Sequence, residues 1–178
     1  MKNIKSIVGL SSISIFALFL ASCASTTPAA KYSQAISPEN RVGPADSVKT
    51  TVQAPAVSDM LEIEKTRLAQ RIDQQISVKK SINTPQPARK LQLDVTITRY
   101  DKGNAFARAM LAGLGQIHLD GTARLVVLPS KKQIGEFTLN KTFAWGGIYG
   151  ASVSMEDIEN TYAEGIASAV TGAKEKKK

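Results

Sequence analysis

The chain is poor in the side chains that most often carry chemistry: its 178 residues include one cysteine, one histidine and one tryptophan. A single cysteine excludes an intrachain disulfide, and the absence of any CxxC or Cys/His set argues against zinc or redox work. Aromatic residues make up only 6%, and none is interleaved with the basic clusters Lys79-Lys80, Arg89-Lys90 and Lys131-Lys132, so no nucleic-acid partner is expected. Neither GLGQ nor WGGIYG is a G-x-G-x-x-G after a strand, and no Gly-Lys-Ser/Thr follows either, which removes dinucleotide and phosphate loops. Long apolar runs are also missing. The single candidate, Ile7 to Leu20, falls short of the roughly 20 residues a membrane-spanning helix needs.

What is present begins with an address. MKNIK is basic, IVGLSSISIFALFL is apolar, and Ala21-Ser22-Cys23 is a small-residue junction, the order of an export signal. An ordinary secretory cleavage site needs no cysteine. Leu20-Ala21-Ser22-Cys23 resembles the bacterial lipobox, which implies cleavage before Cys23, a thioether-linked diacylglycerol on its sulfur and an acylated amino terminus. Several acyl chains at ~0.8 kcal/mol per buried methylene make such attachment effectively permanent. By the same resemblance, Ala24 in place of Asp at the second mature position favours the periplasmic leaflet of the outer membrane.

Cleavage after residue 22 leaves 156 residues, enough for one domain. It removes Lys2 and Lys5 and no acidic residue, so the formal charge falls from +8 to +6. The expected organisation is a signal peptide at 1–22, a flexible tether at 23–46, a single globular domain at 47–172 and a basic tail at 173–178. The tether is assigned on composition: ASTTPAAKYSQAISPENRVGPAD is rich in Ala, Ser, Thr and Pro and has little large apolar surface to offset its ordering entropy.

Within the domain, Val48, Thr50 and Val52 alternate as a short strand. SDMLEIEKTRLAQRIDQQISVKK follows, with Ser58 or Asp59 as its N-cap and Leu61, Leu68, Ile72 and Ile76 at helical spacing. LQLDVTITRY carries the clearest period of two: Leu91, Leu93, Val95 and Ile97 alternate with polar residues. AFARAMLAGLG places Phe106, Met110, Leu111 and Leu114 on one face of a short helix behind the turn DKGN. Two further alternating runs around PSKKQ predict a hairpin. After the glycine-rich loop WGGIYG, Ser154 and Asp157 resemble a capping box for a helix with Ile158, Tyr162, Ile166 and Val170 on its apolar face, stopped by Gly172. Strands that alternate have one wet face. The expected fold is therefore an α/β two-layer sandwich, a mixed sheet of about four strands with helices packed on one face, preceded by a disordered tether.

Candidate site residues are sparse. His118, Asp120, Thr122 and Arg124 share one strand face, where a His and a carboxylate suit proton transfer and an Arg suits an anion. No motif-placed nucleophile joins them, and the wet face of a sheet is the stronger reading of in-line neighbours on one strand. Trp145 and Tyr149 stand beside Gly146, Gly147 and Gly150, as binding aromatics on loops often do, although packing of Trp145 against the sheet is the simpler role. Asp101, Gly103, Asn104 and Arg108 read as a structural corner, with Asn104 capping the helix and Arg108 pairing with Asp101.

The stretches RYDKGNAFARAMLAGLGQIHLDG and FAWGGIYGASVSMEDIE resemble the bacterial family catalogued as domain of unknown function 4410, largely predicted envelope lipoproteins. The likeness runs from about Leu91 to Ala169 and rests on turn and helix-start residues, so it implies a shared fold rather than a shared reaction, and it brings no catalytic residues. The expectation is a non-enzymatic lipoprotein of the cell envelope. It has no cofactor and no metal, meets the membrane through Cys23, and binds a protein partner or assists an assembly. The alternative is a binder of a small ligand, a lipid headgroup or a cell-wall fragment.

Overall fold

The computed structural model describes residues 26–57, 59–80, 87–111 and 113–173. The segment expected to be a signal peptide and Cys23 lie outside the described residues, as do Ser58 and the last five residues of the expected basic tail.

Among the described residues five strands form one sheet: β1 (Lys31–Gln34), β2 (Ser47–Gln53), β3 (Lys90–Asp101), β4 (Ile117–Leu128) and β5 (Lys132–Phe143). Their spatial order is β1-β5-β4-β3-β2. β2 and β3 run parallel and the other neighbours antiparallel, so the sheet is mixed. A parallel pair requires a crossover, and the helix α1 (Glu62–Lys79) provides it. The other helices are α2 (Ala105–Met110), α3 (Gly147–Ser152) and α4 (Met155–Thr171).

The period of two in β3 translates directly into burial. Leu91, Leu93, Val95 and Ile97 are buried, as are their counterparts Ile117, Leu119, Ala123 and Leu125 on β4 and Phe137, Leu139 and Phe143 on β5. α1 contributes Leu68, Ile72 and Ile76 to the layer above, and α4 contributes Ile158, Tyr162, Ile166 and Val170. α1 and α4 pack on each other and on this one face of the sheet. Gly121 makes room for the largest of these side chains: a Cβ there would lie 2.8 Å from the Tyr162 hydroxyl.

α4 starts and stops as its sequence dictates. Ser154 accepts from the Asp157 N–H while Asp157 accepts from the Ser154 N–H, and Gly172 ends the helix in the left-handed region at φ 70°. α1 starts differently. Leu61 holds the N-cap position and its N–H donates to Glu64 Oε2 at 2.9 Å, so neither Asp59 nor the Leu61 side chain, which is exposed, plays the part expected of it.

The segment read as a tether is folded from Thr26 onward. Lys31 and Tyr32 pair with Thr138 and Phe137 of β5, a fifth strand beyond the four expected. Ile36 and Val42 are buried in the core. Asp46 fixes the remainder: its carboxylate accepts from the Gly43 and Arg89 N–H groups and from the Arg89 guanidinium, the closest contact being 2.7 Å. Composition missed this because the segment is held by residues far away in sequence, Arg89 for Asp46, Gly135 for Ile36 and Val170 for Val42.

Candidate functional site

The second face of the sheet has no described helix on it, and this is where His118, Asp120, Thr122 and Arg124 project. The register lays Asp94, Arg124 and Glu136 in one row across β3, β4 and β5, with Thr96, Thr122 and Thr138 in the next. Arg124 approaches Glu136 at 3.7 Å, and Gln92 donates to Asp94 at 2.6 Å. His118 Nδ1 lies 3.0 Å from Thr142 Oγ1. Burial and the nearby Arg99 charge hold this imidazole below its ordinary value against the opposing pull of Asp101 and Asp120.

The structure does not gather these groups into a reaction centre. Six residues along a strand separate His118 from Arg124 by roughly 20 Å; His118 meets Thr142 and Arg124 meets Glu136, while Asp120 Oδ1 is buried with no hydrogen-bond partner among the described residues. What they form is an extended polar surface of threonines and alternating charges.

The other candidate region is the corner built by α2 and α3. Asn104 caps α2 as expected, accepting from the Ala107 N–H at 2.9 Å. Arg108 does not pair with Asp101. It is buried and donates to three backbone carbonyls, Gly150 at 2.8 Å, Gly115 at 2.7 Å and Val153 at 3.0 Å. A guanidinium has five donors in a fixed fork, which suits it to tie several chain ends at once. WGGIYG, read as a loop, forms the helix α3 because this knot satisfies its carboxyl-terminal carbonyls. Trp145 is half-buried against the core, while Tyr149 is exposed with its ring edge-on to Phe143 at 6.3 Å. The aromatic pair is therefore split between packing and surface.

The apolar face of α2 is inverted relative to expectation. Phe106, Met110, Leu111 and Leu114 are 71%, 65%, 56% and 54% exposed, and Ile148 of α3 is 92% exposed. The polar Arg108 is the buried side of the helix.

Two buried clusters escaped the sequence reading. Glu159, fully buried on α4, accepts from Arg67 through two bonds of 2.8 Å and from the Tyr100 hydroxyl at 2.7 Å, with Arg71 at 3.2 Å. The hydrogen bonds to Glu159 raise Arg67 above its ordinary value, and burial followed by Glu159 raises Tyr100. The signal was there: Glu159 stands three residues before Tyr162 on the apolar stripe of α4, and Arg67 and Arg71 lie four apart on α1. Lys141 is buried on the helix-covered face of β5 and donates to the Thr26 carbonyl.

These features define a small two-layer α/β domain with one open polar sheet face and an exposed apolar corner. The chain belongs to the family described as Domain of unknown function (DUF4410), whose model matches residues 32–147. The match begins at β1, well upstream of the Leu91 start at which the resemblance was read. Among solved structures, a PelC dodecamer from Paraburkholderia phytofirmans is similar to this chain at 12% identity, with a TM-score of 0.52 over 82% of this chain and 99% of that one. A protein of the DUF330 family model from Xanthomonas campestris aligns at 11% identity and a TM-score of 0.43, over 74% of this chain and 83% of that one. The PelC likeness shows the fold alone. Among curated proteins none matches the chain in sequence.

Proposed function

We propose that this is a lipid-anchored lipoprotein of the bacterial envelope, held by Cys23 in the periplasmic leaflet of the outer membrane. Its domain is a non-enzymatic module that binds protein through the open face of its sheet. The export signal and the lipobox-like Leu20-Ala21-Ser22-Cys23 support the anchor. One observation carries the binding reading: three 12-residue strands, β3, β4 and β5, have one whole face that no element among the described residues covers. That face carries threonines and charges of both signs, the surface a polar, complementary partner recognises. His118, Asp120 and Arg124 are then contact groups of that surface. Because the similar PelC structure is a dodecamer, a second copy of this chain is the first partner to test.

The test places a photo-reactive residue at Thr122 or Thr138, a directly paired position on the open face, in the full-length protein in living cells. A discrete adduct from both positions, lost on the charge reversal Arg124→Glu, is the expected result, and its mass tells a second copy from another envelope protein. Anchored, folded protein that gives no adduct from either position rejects the face as a binding surface.

A further inference from the structure

The path of the amino terminus fixes which end of the domain lies nearest the membrane. β1 is antiparallel to β5, with Lys31 opposite Thr138, so residues upstream of Lys31 step toward Phe143, the carboxyl end of β5. They continue in that direction as far as they are described. The Thr26 carbonyl accepts from Lys141 Nζ, and Pro28 is seated where a Cβ on Gly165 of α4 would be only 2.8 Å from its carbonyl oxygen. Three residue steps separate Thr26 from Cys23, a span of roughly 11 Å at full extension. With residues 26–46 folded onto the domain, the slack expected of a flexible tether over 23–46 is gone.

The end reached in this way is the one where α2 and α3 sit. α3 begins four residues after β5 ends, α2 precedes the start of β4, and Ile117 of β4 pairs with Phe143 of β5. Arg108 ties the two helices together from the inside. Phe106 and Met110 project from the side of α2 away from that knot, and Ile148 projects from the first turn of α3, all largely exposed. Apolar side chains gathered on one end of a small domain mark an interaction surface, and an amphipathic helix lying at a bilayer buries its apolar face ~5–10 Å into the headgroup and acyl boundary.

We propose that the α2–α3 end is a bilayer-docking surface, with Phe106, Met110, Leu111 and Ile148 entering the lipid interface beside the anchored amino terminus. The proposal rests on the lipid anchor at Cys23, and it commits to lipid as the occupant because the chain leaves the domain at this end with so little reach. It also sets the orientation of the molecule. The strands stand away from the membrane, the β4–β5 turn at Ser130 lies at the distal end, and the open sheet face stays clear of the lipid for a partner.

The experiment uses the full-length, acylated protein reconstituted in vesicles of phosphatidylethanolamine and phosphatidylglycerol. Acylation blocks Cys23, so Ile148→Cys or Ser130→Cys supplies a single thiol for an environment-sensitive fluorophore. Both positions are on the surface, and mass spectrometry reports the acyl state of Cys23 in the same samples. Acyl chains brominated near the headgroup should quench the label at 148 by about half or more, as burial ~5–10 Å into the interface requires, and leave the label at 130 unchanged. An acylated protein with both labels equally unquenched overturns the docking surface and leaves the anchor standing. Absence of acyl groups on Cys23 overturns the anchor and the docking surface with it. Efficient disulfide crosslinking between two copies of Ile148→Cys, persisting in detergent, assigns the patch to a second copy and overturns the lipid assignment.

Discussion

At the scale of single residues, the strongest determinants are charges placed where solvent cannot reach. Glu159 is fully buried, and its two oxygens are matched by two guanidiniums and a phenol. A pair that is broken on one side leaves an uncompensated buried charge, at a cost of about 3–5 kcal/mol. Glu159→Ala should therefore lower the unfolding free energy by about 3 kcal/mol or more in chemical denaturation, while Glu156→Ala, on a half-exposed carboxylate of the same network, should cost less than about 1 kcal/mol. Asp46 adds a pH dependence. Burial raises its pKa, but the Arg89 hydrogen bond and the Gly43 and Arg89 N–H groups outweigh this and hold it below its ordinary 3.8. A carboxylate whose folded pKa is depressed stabilises fully above the unfolded value and loses that contribution as the pH falls through the folded one. Acid titration of stability should accordingly be steeper below about pH 4 for the native protein than for Asp46→Asn. Equal slopes would mean that Asp46 does not hold residues 39–46 in place.

At the scale of elements, legibility followed local patterning. β3, β4, β5, α1 and α4 were readable because burial on one face imposes a period of two or 3.6 on the sequence, and each of these elements has that face covered. β1 was not readable. All four of its residues are exposed and none alternates, so it is a strand only because the edge of β5 is there to pair with it. α3 was missed for a related reason, since its six residues depend on Arg108 from another element. α2 shows the limit of periodicity from the other side: the apolar stripe was real, but a stripe does not state what covers it. Gly135 offers a test of how much the amino-terminal segment contributes. Its missing Cβ is the space filled by the Ile36 side chain, so Gly135→Val should expel Ile36. Overpacking of this kind costs roughly 1–3 kcal/mol. Hydrogen exchange should rise across residues 31–42 while β3 and β4 stay protected. Unchanged exchange at 31–42 would show that Ile36 finds another seat.

At the scale of the whole molecule, the arrangement separates two surfaces by direction. Both the amino-terminal approach and the apolar helices α2 and α3 lie at one end of the sheet, and the polar face of β3–β5 runs perpendicular to that end. α4 starts directly after α3 and carries the chain away over 17 residues, about 25 Å at the helical rise. Val42 and Arg41 meet its far end at Val170 and Gly172. Ala173, the last described residue, thus follows the distal end of α4. Deleting residues 174–178 should leave quenching of a label at position 148 by brominated lipid unchanged. A loss of quenching would mean that the tail lysines, and not the α2–α3 end, set the orientation at the bilayer.

The sequence by itself determined the resemblance of its start to an export signal and of Cys23 to an acyl acceptor, the period of each buried strand and helix, and the caps that start and stop α4. These are local properties, fixed by residues within a few positions of one another. Only the tertiary structure decided that residues 26–46 belong to the domain, that Arg108 faces inward and Phe106 outward, and that Thr26 lies at the end of the sheet where the exposed apolar corner sits. Each of those depends on contacts between residues far apart in the chain, and a one-dimensional pattern records that an apolar or charged group exists without recording which distant surface it meets.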